Sequence, residues 1–435
     1  MKVKVAAWSP ARRSRVVESF IQRPAFDPKA QKAAAVVLED VQRRGDAAVM
    51  AACAQFDGVA LRASELRMTE AEIAAAVATV PETTGKHIRE AHRRVTEFSR
   101  RSIRADWEMP TDRGGMLGEF FTAYERVGIY VPGGTAPLAS TVIMTATLAQ
   151  VAGVRQIVAC TPCGKDKRVN PVVLYAMQLA GVTEVYRVGG IQAIGLMAFG
   201  GRHTEPVQKI VGPGGAYVTA AKRQVYGTVA LDLVAGPSEI AVLADSKANP
   251  AWVAADLLSQ AEHGTGHEKS LLVTDSPALA AGVEDELRRQ SATLPRRKLV
   301  HGVAEAGGIL LVTVPSLEDG MDLVNQFAPE HFELMVENAA DWRRKVRCAG
   351  AVFVGCWTPE SVGDFVAGPS HVLPTGGAAK RFSGLTVDDF RRRSSVVSYT
   401  REDLADALPT IEAFGAMEGL DGHARSARIR FTEPA

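Results

Sequence analysis

The chain has 435 residues, well past the length at which one hydrophobic core stops growing, so two or more domains are expected. Basic and acidic residues nearly cancel, 50 against 49, and a net charge of +1 argues against nucleic acid or an anionic membrane as the main partner. A hydrophobic content of 46% with 23% charged residues is ordinary for a folded chain and excludes disorder on a large scale. No apolar run reaches the ~20 residues needed to cross a bilayer. Residues 1–5 lead into no apolar signal core with a cleavage site, so a cytoplasmic location is expected. The cysteines (Cys53, Cys160, Cys163, Cys348 and Cys356) are odd in number and thinly spread, which suits reduced thiols.

Residues 28–104 are rich in Ala, Glu and Arg, with apolar residues at helical spacing. Two or three helices are expected there, with a break near Phe56-Asp57-Gly58. From Arg126 the periodicity changes. Short Val/Ile runs at 127–131, 157–160, 185–188, 209–211 and 240–244 alternate with helical stretches, and the pattern resumes at 271–274, 309–314, 332–336 and 351–354. This alternation predicts parallel βα units with helices on both faces, in two α/β halves dividing near Ala235-Gly236-Pro237. Beyond about residue 385 the sequence reads as polar and helical.

Chemistry could sit in five places. Glycine-rich turns close three predicted strands: Gly128-Ile129-Tyr130-Val131-Pro132-Gly133-Gly134, Val188-Gly189-Gly190 and Val211-Gly212-Pro213-Gly214-Gly215. Glycine allows close backbone approach to a phosphate, and open α/β sheets bind ligands at such strand ends. None of the three is a GxGxxG fingerprint, and a tight structural turn explains each one singly. Next, Asn249-Pro250 reads as an N-cap and first helical residue, opening a helix that runs through residue 263. Gln260 and His263 would then share one helical face and could share a ligand, although a solvated helix end accounts for these residues alone slightly better.

Third, Glu330-His331 follows Pro329 at a helix-to-strand junction, an arrangement suited to proton transfer near neutrality. Fourth, Glu360, Asp364 and His371 gather in a loop-rich stretch, and nothing in their spacing decides which of them would bind a metal. Last, Glu418 and His423 lie near the chain end, where surface residues are usual. Cys160-Thr161-Pro162-Cys163 has CxxC spacing but no second CxxC, and it is set aside as a redox or zinc motif.

Taken in order, the stretches 128–134, 189–194, 209–214, 235–239, 256–263, 327–331, 359–364 and 371–375 resemble histidinol dehydrogenases, with a likeness extending over roughly 30–430. Ser259-Gln260-Ala261-Glu262-His263 and Ala328-Pro329-Glu330-His331 are the most specific of these. The resemblance implies an α/β fold of two incomplete Rossmann-like domains with parallel-rich sheets. It divides the chain into an N-terminal mainly helical segment (1–125), an NAD-binding domain (126–235), a second domain carrying zinc and catalytic residues (236–385) and a C-terminal helical tail (386–435).

It further implies zinc held by Gln260, His263, Asp364 and His423, with His331 and Glu330 as the proton-transfer residues. Ser238, Glu360, His371 and Glu418 would contact a small alcohol substrate, and Tyr130, Gln192 and Gly215 would contact NAD. In such a homodimer the tail completes the neighbouring site, and two NAD carry L-histidinol through its aldehyde to L-histidine. The chain departs from the family pattern at Ile191, Gly215, Phe365 and Ser370, which leaves open an alternative substrate such as a dihydroxypropanesulfonate. Glu360 and Glu418 argue against it, because carboxylates suit a cationic amine or imidazole and repel a sulfonate.

Overall fold

The computed structural model describes residues 1, 3–22, 27–133, 137–233, 236–263 and 266–432. Gly134 and Ala235, which the sequence motifs include, lie outside the described residues. The chain forms two units. One joins Met1–Ser102 with Tyr124–Phe390, and the other joins Ile103–Ala123 with Arg391–Ala435. In chain order the strands are β1 (Lys4–Ala7), β2 (Trp107–Pro110), β3 (Met116–Ala123), β4 (Arg126–Tyr130), β5 (Gln156–Cys160), β6 (Glu184–Tyr186) and β7 (Lys209–Val211). They continue with β8 (Ala230–Leu231), β9 (Glu239–Ala244), β10 (Lys269–Thr274), β11 (Ile309–Thr313), β12 (His331–Met335), β13 (Ala351–Val354) and β14 (Arg391–Ser398).

The larger unit contains two parallel sheets, as the alternation of Val/Ile runs with helical stretches predicts. The first has the order β6-β5-β4-β7-β8 and the second β1-β11-β10-β9-β12-β13. With β1 set aside, both sheets place their five strands third, second, first, fourth, fifth, so the two α/β halves repeat one topology. Burial explains why these strands lack polar alternation. Every residue of β9, β10 and β12 is buried, as a sheet covered by helices on both faces requires.

The pleat still sorts the side chains of β9. Ile240, Val242 and Ala244 pack with Val253 and Leu257 on one face, while Ala241 and Leu243 pack with Val324 and Phe327 on the other. The helix Pro250–Ala261 begins as its sequence dictates: Asn249 accepts the Ala251 N–H at 2.9 Å, and Pro250 occupies the first turn. It ends two residues earlier than its sequence suggested. Glu262 is the C-cap and His263 lies in the following turn, so Gln260 and His263 do not share a helical face.

The N-terminal region is cut into more helices than expected. Pro28–Arg44 and Asp46–Ala52 lead into a π-helical turn, Cys53–Asp57, stopped by Gly58 at φ +67°; Ala63–Leu66, Glu70–Val77 and Glu82–Ser102 follow. The stretch 360–365, read as loop, is the six-residue helix Glu360–Phe365.

The smaller unit is an antiparallel sheet, β14-β3-β2, with the helices Arg401–Glu418 and Asp421–Arg428. β14 falls where only helical sequence was expected. Its partner is β3, more than 260 residues earlier, with Arg391 paired to Ala123 and Ser398 to Met116. Pairing at that separation leaves no local signal. Among the described residues no helix is long and apolar enough to cross a membrane.

Candidate active site

β9 and β12 are neighbours, paired from His331↔Ile240 onward, so their amino ends bring Glu239 beside Glu330 and His331. The chain reaches this edge through Ala328, whose φ of +52° ends the helix Leu317–Phe327. Pro329 then leads into the strand. Glu330 accepts the Glu239 N–H on Oε2 at 3.0 Å. Burial, reinforced by Asp364, Glu360 and Glu239 nearby, raises the Glu330 pKa well above the usual carboxyl range despite that hydrogen bond.

His331 is buried, and everything around its Nδ1 is an acceptor: Gln260 Oε1 at 3.0 Å, the Glu239 carbonyl at 3.2 Å and Glu360 Oε1 at 3.4 Å. Those neighbours place the proton of the neutral ring on Nδ1 and leave the Nε2 lone pair free. Nε2 is itself buried with no hydrogen-bond partner, and Asp364 Oδ1 lies 3.8 Å from it. Desolvation is the largest influence on the ring and lowers its pKa to about 4, so the imidazole is neutral at pH 7 with its Nε2 lone pair unprotonated.

Around this histidine the second sheet collects most of the predicted set. His263, Glu360 and Asp364 each offer a ligand atom within 4.8 Å of the others. Glu360, first considered for substrate, thus brings a carboxylate oxygen to the same point as His263 and Asp364. Burial and the charge of Asp364 push its pKa up to about 8. Gln260 is fully buried, and its Nε2 has no partner. His371 Nδ1 lies 3.2 Å from the Asp364 carbonyl and 3.9 Å from Asp364 Oδ1. Ser238 immediately precedes β9 and is half-buried. Imidazoles, carboxylates and an amide oxygen around two orphaned buried nitrogens form a donor set that fits a catalytic zinc.

The glycine turns gather at the carboxyl edge of the first sheet. β4 and β7 flank its point of strand-order reversal, where open α/β sheets hold ligands. Tyr130 ends β4, and its hydroxyl accepts the Gly190 N–H at 3.1 Å. Gln192 donates from Nε2 to Asp57 Oδ2 at 3.0 Å, which ties the helix Gly190–Phe199 to the π-helical turn. Pro162 packs so closely between turns that a Cβ on Gly133 or Gly189 would meet it at 2.1 or 2.7 Å.

Gly212 adopts φ +116°, donates its N–H to Asp232 Oδ2 at 2.8 Å, and offers its carbonyl to Lys222 Nζ at 2.8 Å. Gly215 is different. It caps the helix Ala216–Val225 in ordinary extended geometry, and a Cβ there would meet nothing. Ser370 keeps a structural role, donating to the Met144 carbonyl at 2.8 Å, while Phe365 is exposed. Cys160 is buried and Cys163 half-buried, and burial raises both thiol pKa values, the opposite of an activated CxxC pair.

Glu418 and His423 belong to the smaller unit, where Glu418 ends one helix and His423 sits in the first turn of the next, both exposed within the chain. Two pairs near the second sheet carry no motif in the sequence: buried Glu239 with Lys269, Oε1 to Nζ at 3.5 Å, and half-buried Asp256 with buried Glu333. Their only signal was a carboxylate inside an otherwise apolar run, as in Phe332-Glu333-Leu334.

Comparison with known proteins gives the family. The histidinol dehydrogenase family model matches residues 22–431. The chain is 46% identical to a histidinol dehydrogenase of Synechococcus sp. over 91% of its length and 90% of that protein's. A relative of the same description from Rhodopseudomonas palustris is 45% identical over 93% of each. The crystal structure of histidinol dehydrogenase from Elizabethkingia anophelis superposes with a TM-score of 0.93 at 34% identity, covering 99% of this chain and 98% of that one. The chain belongs to the histidinol dehydrogenase family.

Proposed function

We propose that the protein oxidises L-histidinol to L-histidine through the aldehyde, using two NAD and one zinc per site, in cytoplasmic histidine biosynthesis. The observation that carries this reading is His331, a buried neutral imidazole whose Nε2 lone pair faces a carboxylate-rich site with no other partner. Gln260, His263 and Asp364, with His423 from the C-terminal helices, would hold the zinc, which when bound supplies a fixed positive centre that orients the substrate's imidazole and amine. Tyr130, Gln192 and Gly215 would hold NAD, which when bound would supply the hydride acceptor for each oxidation.

In the first oxidation His331 Nε2 takes the hydroxyl proton as hydride leaves the carbinol carbon. Its Nδ1–H stays with Gln260 Oε1 and the Glu239 carbonyl, so the ring keeps its orientation while charged. In the second step Glu330 takes the proton of a water attacking the aldehyde carbon. Its Oε2 remains anchored to the Glu239 N–H, and its raised proton affinity suits that acceptance. Across both steps one alcohol, two NAD and one water give one carboxylate, two NADH and three protons. Glu360, His371, Ser238 and Glu418 would line the substrate.

The carboxyl oxygens of Glu330, Glu360 and Asp364 suit a cationic amine better than a sulfonate. The chain would act as a homodimer, with Glu418 and His423 completing the partner's site. The test is NADH formation by zinc-loaded protein, with L-histidinol and with a dihydroxypropanesulfonate in parallel. Two NADH per L-histidinol, with histidine as product, is the expected result. Turnover of the sulfonate alone, or of neither, overturns the substrate assignment.

A further inference from the structure

Glu360 and Asp364 sit on a helix of only six residues, Glu360–Phe365, that begins without a cap of its own. Its N-cap is Pro359, and no side chain of the segment accepts from its first turn. An acceptor comes instead from the sheet. Glu333, on β12 two residues beyond His331 and 1% exposed, takes the Glu360 N–H on Oε1 at 2.8 Å. Its other oxygen, Oε2, has no hydrogen-bond partner among the described residues, and the nearby Asp256 carboxyl adds to burial in raising the Glu333 pKa. A half-buried carboxyl beside a buried one favours sharing a proton over two charges, which makes Asp256 and Glu333 an acid pair.

Asp256 stands one helical turn before Ser259 and Gln260. Ser259 Oγ in turn lies 2.9 Å from the Asp256 carbonyl and 2.8 Å from Glu360 Oε2. Glu360 is therefore held at both ends, its amide by Glu333 and its carboxyl by Ser259. The first hold comes from β12 and the second from the helix that carries Gln260.

We propose that Glu333 and Asp256 are positioning residues: a carboxyl pair that caps the Glu360–Phe365 helix and fixes Glu360 and Asp364 relative to His331 and Gln260. The consequence for activity rests on the function proposed above; the geometric claim does not. Removing the acceptor frees the Glu360 amide and lets the helix carrying two site carboxylates drift. Outer groups that orient ligands in this way commonly change metal affinity or activity by about 10- to 100-fold.

The test compares Glu333→Gln with Glu333→Met, two side chains of similar size. Gln keeps an oxygen for the Glu360 N–H and turns its amide N–H toward the Asp256 carboxylate. Met keeps neither. Hydrogen exchange of the peptide 358–366 should match wild type in Glu333→Gln and quicken about tenfold or more in Glu333→Met. In the same preparations, zinc affinity by chelator competition and kcat/KM for L-histidinol should fall about tenfold or more only in Glu333→Met.

Asp256→Asn, which can still donate to Glu333, should resemble Glu333→Gln and serves if Glu333→Met does not fold. Equal damage in Glu333→Gln and Glu333→Met, or unchanged exchange in Glu333→Met, would overturn the proposal. Wild-type protein inert toward L-histidinol would sink the functional reading, while the exchange comparison would still decide the positioning role.

Discussion

Replacing Gly212 by alanine probes the turn that joins β7 to the candidate NAD site. The residue sits at φ +116°, where an L side chain is strained by about 1–3 kcal/mol. A Cβ built there lies 2.3 Å from the Tyr130 carbonyl oxygen, a backbone atom of the neighbouring strand that cannot rotate away. β4 and β7 would have to part by several tenths of an ångström, an overpacking cost of about 1–3 kcal/mol. Together these reach about 4 kcal/mol, and at roughly 2 °C per kcal/mol for a domain of this size the melting temperature should fall by roughly 8 °C.

The shift would also move Tyr130, so KM for NAD should rise more than kcat falls. Gly215→Asn is the control three residues on. Its Cβ meets nothing and asparagine is a good N-cap, so stability should hold or rise slightly. Differential scanning fluorimetry and NAD titrations read both variants. Melting within about 2 °C of wild type for Gly212→Ala, or equal losses in both variants, would refute the steric argument.

His331→Ala should lower kcat/KM by about 10²- to 10⁴-fold, the usual worth of a positioned base, and leave zinc content by elemental analysis unchanged. Loss of zinc along with activity would instead make His331 a ligand. Glu330→Gln keeps an oxygen for the Glu239 N–H, so its melting temperature should stay near wild type. Its turnover should stall after one NADH per substrate, which single-turnover absorbance would count. Two NADH at the normal rate would remove Glu330 from the water step.

Glu184 is held below its ordinary pKa of 4.5, chiefly by Arg126, whose guanidinium grips both of its oxygens at 2.7 and 3.0 Å. Because the folded value is lower than the unfolded one, this contribution is complete above pH 4.5 and fades as pH falls through the folded value. Wild type should therefore out-melt Glu184→Gln at pH 7, with the gap narrowing in acid. A gap that widens in acid would contradict the sign.

Much of this protein was legible in one dimension. Apolar β-branched runs punctuated by Gly and Pro marked β4–β7 and β9–β13 within a residue or two, because a strand buried on both faces must be apolar throughout, whereas the exposed or half-buried edge strands β1 and β8 carried no such run. Asn249-Pro250 announced its helix, because capping is a matter of adjacent residues. Histidines and carboxylates were identifiable as candidates by residue type and family likeness.

Only the folded chain decided how they meet. β9 and β12 are neighbours although 86 residues separate Ala244 from His331, and that pairing alone sets Glu330 on the Glu239 amide and turns the His331 Nδ1 toward Gln260. β14, the capping of Glu360 by Glu333 and the approach of Asp256 to Glu333 left no periodic trace either. The physical reason is range. Periodicity and caps arise from neighbours a few residues apart, whereas desolvation, proton sharing and strand order depend on which distant segments the core brings together.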